Sequence, residues 1–169
     1  YKDLISSTDI DIVYIALPNS LHAKNITECI KNNKNVLVEK PAVINFQEFK
    51  DIKKIISETK SYFTEGFMYR YLPYFLKLKE IVLSKSLGDV VEIKSNFNSK
   101  IYKQKEIFGI KIQKPDYSNR LFNKNLGGGA ILDLGCYPLS LSTFVNSLSH
   151  NVELKDISLK NVKKEYSVL

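Results

Sequence analysis

Residues 10–17, IDIVYIAL, form an almost unbroken apolar run behind the polar SSTD. Such a run predicts a strand buried on both faces of a parallel sheet. It stops at Pro18-Asn19-Ser20. The stretch LHAKNITECIKNNK (21–34) then sets Leu21, Ile26, Cys29 and Ile30 on one helical face, and NVLVE (35–39) reads as a second strand. Asn45 with Glu48 three positions on is a capping-box signature. Phe46, Phe49, Ile52, Ile55 and Ile56 continue behind it at helical spacing, and SYFTEGF (61–67) is a third strand. Strand, helix, strand, helix, strand at this spacing predicts a right-handed parallel α/β unit.

The texture then changes. LPYFLKLKEIVLSKSLG (72–88) predicts an amphipathic helix opened by Pro73 and closed by Gly88. DVVEIKSNFNS (89–99) alternates apolar with polar, as a strand with one solvated face does. Residues 100–120 are polar, lysine-rich and aperiodic, and read as a long loop. AILDLGCYPLSLSTFV (130–145) has helical spacing interrupted by Pro138, and VELKDISLKNV (152–162) alternates again. The pattern is that of a parallel α/β portion followed by the start of an antiparallel, strand-rich portion, with the boundary between residues 70 and 88.

Composition changes this picture little. At 169 residues the chain holds one domain or two small ones. The net charge of +7 raises nucleic-acid binding, but Arg70 and Arg120 are the only arginines, and the lysines alternate with acids as on solvated helix faces. No nucleic-acid partner is expected. No apolar run reaches the roughly 20 residues of a membrane span, so no membrane partner is expected either. Cys29 and Cys136 form no C-x-x-C and read as small buried hydrophobes of a reduced compartment. No metal site is expected. The chain opens on Tyr1 without a methionine, which points either to removed residues or to a piece of a longer reading frame.

Three stretches could carry chemistry. In open parallel sheets ligands bind beyond the carboxyl ends of the strands. Pro18-Asn19-Ser20 and Lys40-Pro41-Ala42 follow the first and second strands and fall on that side. The first stretch alone equally suits an ordinary strand-to-helix turn. Lys40 could polarise a carbonyl there, or be one more surface lysine. Asp133 and Tyr137 stand four apart, which on an α-helix shares a face. They suit proton transfer, or a dipole-favoured acid beside a core tyrosine. GGG (127–129) in front of them would let the backbone pass close to a ligand.

Taken together, DIDIVYIALPNSLHAKNITECIKNNKNVLVEKP, GFMYRYLP and GGGAILDLGCYPL resemble the glucose–fructose oxidoreductase / inositol dehydrogenase / rhizopine-catabolism (Gfo/Idh/MocA) family, from about residue 3 to about residue 145. The resemblance implies a fold: the C-terminal part of a doubly wound parallel Rossmann domain over 1–70. Over 71–169 it implies the first part of an α+β domain with a mainly antiparallel sheet, through which a homo-oligomer would form. It also implies an NAD- or NADP-dependent oxidoreductase acting on a sugar or sugar-like substrate, and a cytoplasmic location is expected.

By the same resemblance Lys40 is the catalytic lysine, and Glu39, Lys40 and Pro41 line the nicotinamide, with Pro41 cis. Pro18, Asn19 and His22 form the cofactor-contacting loop. Asp133 orients substrate, and Tyr137, where many members have histidine, is the general acid/base. This tyrosine matches the glucose–fructose oxidoreductase and dihydrodiol/xylose dehydrogenase branch. Arg70 is assigned to the cofactor and Arg120 to substrate. The family's Gly-rich phosphate-binding turn, and the residue that chooses NAD or NADP, fall before residue 1. The alternative reading is therefore a truncated, inactive remnant serving at most as an interaction module.

Overall fold

The computed structural model describes residues 1–99, 104–107, 110–113 and 118–149. They fall into two compact units, one of residues 1–66 with 118–133, the other of residues 67–99, 104–107, 110–113 and 134–149.

The first unit holds a parallel sheet in the order β1-β2-β3, from β1 (Ile12–Ile15), β2 (Asn35–Val38) and β3 (Phe63–Glu65). Helix α1 (Lys2–Ser6) precedes β1, α2 (His22–Lys31) links β1 to β2, and α3 (Phe46–Ser57) links β2 to β3. The register pairs Val13 with Val36 and Ile15 with Val38, so these four side chains share one face. Ile26, Cys29 and Ile30 of α2 and Ile52 of α3 complete the core cluster on that face. Ile26, Ile30 and Val38 are wholly enclosed. Each such side chain contributes roughly 1.5–3 kcal/mol by leaving water. Cys29 sits among them, as expected of a small hydrophobe, and burial pushes its thiol pKa up.

One expectation is corrected here. β1 is an edge strand of the described sheet, not one buried on both faces: Ile12 is 60% exposed and Tyr14 57%. Successive side chains alternate across the pleat, and α2 and α3 cover the face that holds Val13 and Ile15.

The predicted cap of α3 is present. The Asn45 side chain accepts from the Glu48 amide at 2.9 Å, while the Glu48 carboxylate accepts from the Ile44 amide at 2.9 Å, one residue before the usual capping-box partner. Phe46 and Phe49, read as part of the apolar face, instead stack on each other and are exposed. They lie in the first turn, ahead of Ile52, which is buried in the core, and of Ile55 and Ile56, which pack against it.

The second unit contains α4 (Pro73–Ser84), α5 (Cys136–Ser149) and the antiparallel pair β4 (Gln104–Ile107) and β5 (Ile110–Gln113). Pro73 opens α4 as predicted, but the helix ends at Lys85, which takes the left-handed conformation, before Gly88 is reached. The segment read as a strand over 89–99 forms no ladder among the described residues, and Val91 is 90% exposed. Alternation alone does not hold a strand, because the backbone groups need a paired neighbour. The segment read as a loop over 100–120 contains β4 and β5. Their pairing places Ile107 opposite Ile110, so KEI and IKI form the ladder that the lysines disguised. Pro138 does not interrupt its helix. It lies in the first turn of α5, directly after a π-helical turn over Ile131–Gly135. Residues 152–162 lie outside the described residues.

Candidate active site

Within the first unit the strands run parallel, so the loops after them emerge on one edge of the sheet. Pro18-Asn19 follows β1, Glu39-Lys40-Pro41 follows β2, and Gly66 follows β3. The Lys40–Pro41 peptide is cis, as the resemblance implied.

Lys40 is where the chemistry gathers. Its Nζ donates to the backbone oxygen of Asp133 at 2.5 Å and to Asp133 Oδ1 at 3.1 Å. Both side chains are only 14% exposed, so this ion pair is poorly screened. Residues 93 positions apart therefore meet, which no spacing rule could have shown. Two contacts to one residue hold the ammonium in place at the strand ends.

The loops are tied to one another through side chains. His22 is fully enclosed, with Nδ1 2.8 Å from the Pro41 carbonyl and Nε2 2.8 Å from the Leu17 carbonyl. Its ring thus fastens the loop after β1 to the loop after β2, and presents no surface to a ligand. Asn19 is also buried and donates to the Gly127 carbonyl at 2.8 Å. Glu65, the last residue of β3, accepts from the Ala42 amide at 2.8 Å. Tyr14 donates to Glu39 Oε1 at 2.6 Å.

Two glycines of the run pack closely against the protein itself. Gly127 has φ +74°, and a Cβ there would lie 2.8 Å from both Asn19 Cβ and Ile44 Cγ2. A Cβ on Gly128 would lie 2.5 Å from the Arg120 carbonyl oxygen. The close approach is to the protein's own loops. These contacts bring the segment leading to Asp133 against the loop after β1. Asp133 itself lies in the π turn over Ile131–Gly135.

In the second unit Tyr137 sits among aromatic rings: Phe67 at 5.6 Å edge-on, Tyr69 at 6.1 Å and Phe97 at 5.1 Å between centroids. Arg70 lies over the Phe67 and Phe144 rings and donates to Ser140 Oγ at 2.8 Å. The Tyr69 hydroxyl donates to the same oxygen at 2.9 Å. Arg120 belongs to the first unit, in a short 3-10 turn, and is exposed.

Sequence reasoning missed Tyr14 and Glu65. The signal for Glu65 was present: an acid closes β3 as Glu39 follows β2. Tyr14 was hidden by reading its strand as uniformly buried.

Comparison with known proteins decides the family. A model of the oxidoreductase family with NAD-binding Rossmann fold matches residues 1–67, and one of the GFO/IDH/MocA C-terminal domain matches residues 75–152. The chain belongs to the Gfo/Idh/MocA family. It is 30% identical over 145 residues to a trans-1,2-dihydrobenzene-1,2-diol dehydrogenase of Xenopus tropicalis, covering 86% of this chain and 40% of that protein. It is 31% identical over 144 residues to a D-xylose 1-dehydrogenase (NADP(+)) of Hypocrea jecorina, covering 83% of this chain and 35% of that protein. The chain thus spans well under half the length of these relatives. Among solved structures, a myo-inositol 2-dehydrogenase from Lactobacillus plantarum is similar with a TM-score of 0.50 at 30% identity, over 54% of this chain and 27% of that one. An NAD-binding protein from Listeria innocua superposes with a TM-score of 0.61 over 86% of this chain and 38% of that one; at 21% identity it speaks for the fold alone. The fold class is the Rossmann-like α/β one, with a parallel sheet.

Proposed function

We propose that the protein carrying this chain is an NAD- or NADP-dependent oxidoreductase that moves a hydride to or from a carbinol carbon of a sugar or sugar-like ring. The observation that carries this reading is the Lys40–Asp133 pair, a cation held by two Asp133 oxygens beyond the carboxyl end of β2. The relatives named above support it, being dehydrogenases of a diol and of an aldose.

The residues fit a nicotinamide cofactor. The Glu39 carboxylate, an acceptor held by Tyr14, suits a ribose hydroxyl or carboxamide N–H. When bound, the cofactor supplies the hydride acceptor or donor at C4 of its ring. Pro18, Asn19 and His22 would shape the loop that holds it, Asn19 and His22 through their bonds to backbone carbonyls, and Glu39, Lys40 and Pro41 would line it. Lys40 donates to the substrate oxygen and favours its anionic form. Asp133 aims Lys40 and accepts from a substrate hydroxyl. Tyr137 takes the hydroxyl proton as the carbinol is oxidised and returns it to the alkoxide on reduction. Arg70 serves the cofactor and Arg120 the substrate. The β4–β5 pair is assigned to a larger antiparallel sheet through which copies of the protein associate.

The reading is tested by Tyr137→Phe in the natural protein. Turnover is expected to fall by about 10²–10⁴-fold, the usual worth of a positioned acid/base, with cofactor affinity unchanged. Equal losses in both would contradict the role.

A further inference from the structure

The strip Glu39–Ile44 carries Lys40, and its backbone is fastened from several sides. The Glu39 amide donates to the Ile15 carbonyl at 2.9 Å, the Pro41 carbonyl meets His22, and the Ile44 amide donates to Glu48. Between them the Ala42 amide donates to Glu65 Oε1 at 2.8 Å. Ala42 is buried, so its N–H needs an acceptor inside the protein. Glu65 is held for that task. It stands opposite Val38 in the β2–β3 register, and the next amide, Gly66, donates to the Val38 carbonyl at 2.7 Å. A side chain could not be added at Gly66 without crowding, since its Cβ would lie 3.1 Å from that same oxygen. The end of β3 is thus locked to the end of β2, and an acceptor of fixed reach grips the backbone two residues beyond Lys40. Carboxylate acceptors make the stronger class of hydrogen bond.

We propose that Glu65 is a positioning residue for Lys40: through the Ala42 amide it fixes the strip from which Lys40 reaches Asp133. The role assigned to Glu65 runs through the Ala42 amide. The inference rests on the catalytic reading of Lys40 only for its consequence in turnover; the geometric claim can be measured apart from it.

The test is competitive labelling of lysines with acetic anhydride, read site by site by mass spectrometry, on the native protein, Glu65→Gln and Glu65→Ala. Glutamine keeps an oxygen acceptor for the Ala42 N–H, and alanine does not. In Glu65→Ala the labelling rate of Lys40 is expected to rise about fivefold or more, the scale of one lost hydrogen bond. In Glu65→Gln it stays within about twofold of native. Lys34, a buried lysine of the same unit that donates to the Ser7 carbonyl, is the control and stays protected in both.

An unchanged Lys40 in Glu65→Ala overturns the proposal. So does Lys34 rising with it, which would mean general loosening, and so does Glu65→Gln behaving like Glu65→Ala. Nicotinamide-dependent turnover is followed alongside. Its kcat falls in Glu65→Ala with KM for cofactor unchanged, and glutamine restores it. If the native protein shows no such turnover while Lys40 labelling responds as stated, the oxidoreductase reading fails and the positioning role stands. If turnover is present and labelling does not respond, the reverse holds.

Discussion

Tyr14 and Glu39 show how one hydrogen bond can give a residue a measurable signature. The phenol donates to the Glu39 carboxylate, and its pKa is raised above the ordinary 10.0, first by that hydrogen bond, then by desolvation and by the negative charge beside it. The folded state therefore holds this proton more tightly than the unfolded one. Stability from the bond is complete below pH 10 and is lost as the pH rises through the folded value. The difference in ionised-phenol absorbance between native protein and Tyr14→Phe is expected to titrate above pH 10, and Tyr14→Phe to lose the matching part of the alkaline destabilisation. A midpoint at or below 10 would show that Glu39 is not the phenol's partner. At this scale the sequence made residue types legible but not partners. Lys40 stood out because it ends an apolar strand. Its contact with Asp133 joins positions 93 apart and depends on how Gly127 packs against Asn19 and Ile44.

Among the elements, the helix α3 was the most legible, because its start is written locally in Asn45 and Glu48. Asn45→Ala removes the acceptor for the Glu48 amide and is expected to lower the unfolding free energy by about 1 kcal/mol. Urea denaturation of the two proteins measures this, and a change near zero would mean that water serves that amide equally well. The hairpin of β4 and β5 was illegible for the opposite reason. Its lysines break the apolar alternation, and its register is set by pairing across the hairpin, not by local pattern. The stretch 89–99 failed in reverse, with a good alternating pattern and no ladder among the described residues. The π turn carrying Asp133 leaves no mark in residue types that favour ordinary helices.

For the whole molecule, the order of strand, helix and strand was enough to predict a parallel sheet with its loops on one edge, and the structure has it. The two units divide after residue 66, and residues 118–133 group with the first unit. A return of the chain to an earlier unit depends on distant contacts, here Asn19 with Gly127 and Lys40 with Asp133. Those contacts are also what make the chemistry plausible, since they put a strand-end lysine and an acid together. Among the described residues no helix is long and apolar enough to cross a membrane.

An isotope reads the proposed hydride transfer directly. The natural protein is incubated with reduced nicotinamide cofactor carrying deuterium at C4 and with oxidised forms of sugars and cyclic diols. Deuterium is expected on the new carbinol carbon of at least one product. Lys40→Ala should slow that transfer by about 10²-fold or more, as removal of a preorganised donor does. Absence of deuterium from every product, or transfer undiminished in Lys40→Ala, would contradict the account.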